Sequence, residues 1–181
     1  MRLRLERCPR VIIAGQKKRN LVLVLVVMLP FFVLVISTLV LRALGAAGLH
    51  PLDSWALCLR GGLALMFLFT ASAHWGKRRR DLIAMVPRVF PRADLMVSLT
   101  GVLEILGAVG LLIPMTATAA AACLAVLLIA LFPANVHAAR ENLTIGGRPA
   151  TPLPLRALLQ LAFISALIVA GFPDAFRFGV R

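Results

Sequence analysis

The chain has 181 residues, of which 61% are hydrophobic and 15% charged, with a formal net charge of +13. Ordinary globular domains carry about 45–50% apolar and about 25% charged residues, so this much apolar surface excludes a soluble domain, a disordered chain and a disulfide-stapled secreted module. The positive charge does not mark a nucleic-acid partner, because the basic residues sit in short segments that flank charge-free runs, where they set membrane topology.

Taken in chain order, residues 1–20 form a basic tail with Arg2, Arg4, Arg7, Arg10, Lys17, Lys18 and Arg19. Leu21–Leu41 follows as an uncharged run of 21 residues, long enough to cross about 30 Å of hydrocarbon at about 1.5 Å per residue. A signal peptide is the rival reading, with Ala-rich 43–47 as a cleavage site. Its apolar core would be about 7–15 residues, so a retained helix is expected, and 21–53 is that helix with its outer loop. The second span is Ser54–Trp75. The only two tryptophans, Trp55 and Trp75, bracket it at a spacing of 20 residues, which suits two interfacial anchors on one helix. The third span is Leu95–Ile113, closed by Pro114, and the fourth is Thr116–Val136. The junction at Pro114–Met115 is short enough to force an antiparallel hairpin. The fifth span is Leu155–Phe172, so 54–173 is one four-helix membrane domain and 174–181 a short end.

Sixteen Lys/Arg fall on the side of the tail and of the loops 76–94 and 137–154, against four on the other side. That asymmetry orients the N-terminus in the cytoplasm and the C-terminus outside, in the cell membrane. The loops show no phosphate-cradling glycine pattern, since Gly146–Gly147 lacks a following Lys-Ser/Thr. The sequon Asn142-Leu143-Thr144 falls on the cytoplasmic side and reads as chance. Cys8, Cys58 and Cys123 form neither a Cys-x-x-Cys pair nor a Cys/His cluster, so no metal site is expected and a membrane dithiol oxidoreductase is disfavoured.

Ionisable side chains at bilayer depth are costly and face the bundle interior. The candidate intramembrane polar cluster is Arg60, His74, Glu104, Asn135 and Gln160, with His137 and Arg156 near the cytoplasmic face. At about 100° per residue, Gly101, Glu104 and Ala108 share one face of the third span, where small residues let a neighbour approach closely. Counting depth from the basic loop puts Glu104 level with about Ala64, one turn from Arg60. A buried ion pair that fixes packing is expected, with a substrate or quinone site, a proton relay, or an Arg60 that snorkels outward as alternatives. Arg60, Phe67, Ala71 and His74 fall on one stripe. Interhelical hydrogen bonding is the plain account of His74, Asn135 and Gln160, and a ligand site the other. In the fourth span Ala117, Ala121 and Ala125 follow the spacing of close helix packing, which argues against a wide pore.

Several ordered stretches resemble the DoxX family of small bacterial and archaeal membrane proteins, over about Leu57 to Phe172. They are Phe69-Thr70-Ala71-Ser72-Ala73-His74, Ala84-Met85-Val86-Pro87 with Phe90-Pro91, Thr100-Gly101-Val102-Leu103-Glu104 through Pro114, Phe132-Pro133-Ala134-Asn135 and Leu155-Arg156-Ala157-Leu158-Leu159-Gln160. Trp75 departs from the phenylalanine that often follows the histidine. The resemblance implies an all-α, DoxX-like four-helix transmembrane bundle, here with one extra N-terminal helix. It implies an accessory subunit of a membrane redox complex, partnered by a soluble or membrane oxidoreductase subunit, with a quinone as the cofactor such a role would involve; none is evident in the sequence itself. The alternatives are a quinone-binding or oxidoreductase subunit using Glu104, Arg60 and His74, and a small transporter or membrane scaffold.

Overall fold

The computed structural model describes residues 9–145, 148–149 and 151–173. The start of the basic tail with Cys8, the pair Gly146–Gly147, and the end with Arg177 and Arg181 lie outside the described residues.

The described chain is all-α apart from one minimal hairpin. Helix α1 is Pro9–Ala46. Helix α2, Trp55–Ala71, is continued by one tighter turn over Ser72–His74. A short α3 follows at Arg79–Met85, then α4 at Ala93–Leu112 and α5 at Ala117–Arg140. Strands β1 (Thr144–Ile145) and β2 (Arg148–Pro149) pair antiparallel, and α6 runs from Leu153 to Gly171. All but α3 are long and apolar enough to cross a membrane. The chain is thus a polytopic membrane protein whose outer faces meet lipid.

Prolines set most of the boundaries. Val86 before Pro87 and Ile113 before Pro114 are both extended, as the proline ring demands of the residue ahead of it. Arg92, after Pro91, takes a left-handed conformation with φ 61° and turns the chain into α4. Pro154 sits in the first turn of α6, where the N–H it lacks has no helical partner to lose. Pro133 is different: it lies inside α5, which runs on to Arg140, one turn beyond the expected end at Val136.

Helices α2, α4, α5 and α6 form a closed ring, each packed on the next and α6 back on α2. Its core is Leu63, Met66 and Phe67 of α2, Ala108 and Leu111 of α4, Ala121 and Leu124 of α5, and Leu167 and Ala170 of α6. Helix α1 lies along α2 outside the ring. Burial ranks them accordingly: 39% of the spanning stretch of α2 is buried, against 11% for α1. The α1–α2 contact is close because Gly62 has no side chain; Leu34 and Thr38 of α1 occupy the space a Cβ would need. The arrangement is the one expected, a four-helix bundle with one additional N-terminal helix.

Two features of the basic end leave no mark in the hydropathy pattern. The loop 76–94 contains α3, which packs against both α4 and α5 across the basic end of the bundle. Arg79, counted only as a topology charge, ties that end together. Its guanidinium donates to the His74 carbonyl at 2.9 Å, to Ser98 Oγ at 2.9 Å and to the Asp94 carbonyl at 3.2 Å.

Candidate functional site

The buried positions of α4 are Val97, Gly101, Glu104, Ala108 and Leu111, the face on which the helical period had placed Gly101, Glu104 and Ala108. Gly101 is the point of closest approach. A Cβ there would lie 2.8 Å from His74 Cβ and Cγ and 2.7 Å from Trp75 Cη2. The missing side chain is therefore what allows His74 to sit against α4.

His74 is 8% exposed and Glu104 6%, so both polar groups must find partners in the protein. His74 Nδ1 lies 2.7 Å from the Val97 carbonyl. A carbonyl only accepts, so Nδ1 carries a proton and Nε2 is the ring atom turned to Glu104. Nε2 stands 3.6 Å from Glu104 Oε1. The other carboxylate oxygen, Oε2, is 3.0 Å from Thr70 Oγ1. The same hydroxyl lies 3.0 Å from the Phe67 carbonyl, and its single proton serves one acceptor at a time. Thr70 was not among the expected cluster residues, although it precedes His74 by four and so shares its helix face.

The expected Arg60–Glu104 pair does not form. Arg60 Nε instead donates to the Ala170 carbonyl at 2.9 Å. Ala170 is in the last turn of α6, whose final carbonyls have no helical partner, and a cation there also meets the negative end of the helix dipole. Arg60 thus caps α6 and closes the ring between α6 and α2. The error lay in axial register. Val97 is level with His74, so Glu104 meets Thr70 and not Ala64. Six residues of helix are about 9 Å, which carries Glu104 out of reach of Arg60.

A second polar group lies on α5 and α6. Arg156 Nη1 donates to Asn135 Oδ1 at 2.9 Å, and Nε to the Thr151 carbonyl at 3.2 Å. Gln160 Nε2 donates to the Leu128 carbonyl at 3.0 Å, while Asn135 Nδ2 reaches Gln160 Oε1 only at 3.5 Å. Pro133, one turn after Leu128 and Ile129, removes the N–H that would have bonded the Ile129 carbonyl. Gln160 docks beside that gap in the ladder.

The two groups face a common cavity of about 670 Å³ at the basic end, roofed by Leu82 and Met85 of α3 and edged by Leu29 and Pro30 of α1. Thr70, His74 and Glu104 line one side, Asn135 and Arg156 the other, and Phe69 and Leu131 are among its apolar walls. Of the expected cluster, then, His74, Glu104 and Asn135 are brought together here. Gln160 lies behind them on a smaller crevice of about 210 Å³ between α5 and α6. Arg60 belongs to neither. Among the described residues no three His, Cys, Asp or Glu side chains gather as a metal site requires. Cys58 is buried, with Sγ 3.1 Å from the Leu52 carbonyl.

Comparison with known families places this architecture. A family model described as a domain of unknown function, DUF8561, matches residues 63–172, more than half of the chain. The chain belongs to the DUF8561 family. The matched stretch of the DUF8561 domain begins within α2 and ends just past α6. It holds Thr70, His74, Glu104, Asn135, Arg156 and Gln160, and leaves out α1 and Arg60. No match to the DoxX family was found, so that likeness rests on the short stretches alone. No curated protein and no solved structure matches.

Proposed function

We propose that this DUF8561 protein binds a lipophilic ligand with a hydrogen-bonding head in the cavity at the basic end of the ring, and that it serves as an accessory subunit of a membrane redox complex, as its DoxX-like stretches imply. The observation that carries the binding reading is the Thr70–His74–Glu104 cluster on the wall of a roughly 670 Å³ cavity. Ligand pockets run to about 300–1,000 Å³, with apolar walls and a few convergent polar groups, and this one fits that description. Buried ionisable groups on spanning helices mark ligand or proton sites more often than lipid-facing positions do.

A quinone is the ligand class that the DoxX resemblance brings with it. The residues present can receive one. Phe69, Leu82, Met85 and Leu131 would flank a ring, and the Asn135 amide and the Arg156 guanidinium are donors for its carbonyl oxygens. When bound, a quinone carries electrons and protons between partners. The part of the chain itself is to bind and to orient, with the His74–Glu104 contact on the cavity wall. The basic end faces the cytoplasm in this reading, by the asymmetry of sixteen basic residues against four.

The test uses Trp75 as a reporter in a Trp55→Phe background, where it is the single tryptophan. A short-chain quinone should quench it saturably, and Ala134→Phe, which fills the cavity, should abolish the saturable part. A linear quench unchanged by Ala134→Phe would refute the cavity as a binding site. Affinity purification from the native membrane tests the accessory role, and recovery of the chain without any oxidoreductase would remove it.

A further inference from the structure

The charges around the cavity are unequal. Lys77, Arg78 and Arg156 line it against a single carboxylate, Glu104. Glu104 is already met by His74 Nε2 at 3.6 Å and by the Thr70 hydroxyl at 3.0 Å. Arg156 is held by two neutral acceptors, the Thr151 carbonyl through Nε and Asn135 Oδ1 through Nη1. Among the described residues no carboxylate pairs with it and Nη2 makes no hydrogen bond. Arg156 also lines the crevice between α5 and α6, so the residue borders both spaces. A guanidinium on a spanning helix, fixed by neutral acceptors and belonging to a residue that lines a cavity, has a place open for an anionic partner.

We infer that the ligand supplies that partner: the cavity selects a lipophile whose head carries a net negative charge, a carboxylate or a phosphodiester with no compensating cation. The head sits on Arg156 Nη2 with the Asn135 amide beside it, and Lys77 and Arg78, both exposed at the rim, add attraction from the interface. The chain lies along the apolar walls. This inference rests on the cavity being a lipophile site. It goes further in stating that the head is anionic, and that a neutral head, a quinone's included, binds less well.

The experiment measures quenching of Trp75 in full-length Trp55→Phe protein in nanodiscs of neutral phosphatidylcholine. The probes are a dibrominated stearate and the dibrominated alcohol of the same chain length. The acid should half-saturate at a concentration at least tenfold lower than the alcohol. Arg156→Gln should erase that ratio, and Arg156→Lys should keep most of it. Should Arg156→Gln fail to fold, the acid-to-alcohol ratio in Trp55→Phe protein with Arg156 intact, and its decrease in Lys77→Gln/Arg78→Gln, still decide the matter.

The source of the head is set by two further arms. Brominated phosphatidylglycerol in the nanodisc should quench in an Arg156-dependent way if a membrane lipid is the occupant, and stearate alone if a free fatty acid is. Inorganic phosphate that displaces the acid at equal concentration would show a bare anion site and overturn the lipophile. Equal binding of acid and alcohol would overturn the anionic head while leaving the cavity reading intact. If neither chain-bearing probe responds to Ala134→Phe, the cavity reading itself falls.

Discussion

Gly101→Ala puts one methyl group at the contact on which the His74–Glu104 geometry depends. The added Cβ would stand 2.8 Å from His74 Cβ and Cγ and 2.7 Å from Trp75 Cη2, where carbon atoms at rest keep about 3.5–4.0 Å. The Trp75 ring is half exposed and can swing away. His74 is buried and bonded at 2.7 Å to the Val97 carbonyl, so α2 and α4 must part by about 0.7 Å or that bond must break. Overpacking of this kind costs about 1–3 kcal/mol, and loss of the hydrogen bond adds about 0.5–1.5 kcal/mol. Alanine in a helix interior returns about 0.8–1.0 kcal/mol over glycine. The balance is a loss of about 0.5–3.5 kcal/mol, centred on about 2, which at about 2–4 °C per kcal/mol for a chain of this size lowers Tm by about 4–8 °C at the centre of that range. Thermal unfolding in detergent, followed by Trp75 emission in the Trp55→Phe background, reads it directly. A Tm equal to or above that of the parent would show that helix propensity prevails, and that Gly101 is not the contact holding His74 in place.

Three other outcomes are expected. Arg60→Leu and Glu104→Gln should add within about 0.5 kcal/mol in a double-mutant cycle, because the two residues share no partner; a coupling well above that would restore the ion pair. Ala121→Leu should destabilise by about 1–3 kcal/mol, since Ala121 is 1% exposed and a Cβ on Gly171 would already lie 2.6 Å from its own Cβ; an unchanged Tm in detergent would turn that face of α5 toward lipid. A reporter fused after Arg181 should be active outside the cytoplasm, and activity confined to the cytoplasm would mean an even number of spans.

Much of this fold could be read in the sequence, because hydropathy and charge act on whole segments. The five spans, the hairpin at Pro114–Met115 and the α4 face through Gly101, Glu104 and Ala108 follow from length, proline and helical period alone. What those signals omit is the axial offset between helices. The depth of Glu104 was counted through a loop that hides α3, and the offset moved its partner from Arg60 to His74 and Thr70. The partner that Arg60 takes, the Ala170 carbonyl, is backbone, and no residue type announces it. For Arg156 the sequence gives only a depth, near the cytoplasmic face, because the first turn of a spanning helix is where topology charges collect. Its place on the cavity depends on how α6 leans on α5, and strands as short as β1 and β2 leave no periodic trace.

The tether made by Arg79 bears on how orientation can be studied in this protein. Inverting a membrane protein by stripping positive charge presumes that each arginine counts only as a charge. Here Lys77, Arg80 and Arg88 are exposed and interchangeable in that sense, whereas Arg79 also bolts the end of α2 to the start of α4 through the His74 and Asp94 carbonyls and the Ser98 hydroxyl. A charge-removal series that includes Arg79 would mix misinsertion with loosening of an already inserted bundle. One confined to Lys77, Arg80 and Arg88 would vary the electrostatic vote alone, and the difference between the two series measures how much assembly depends on that single guanidinium.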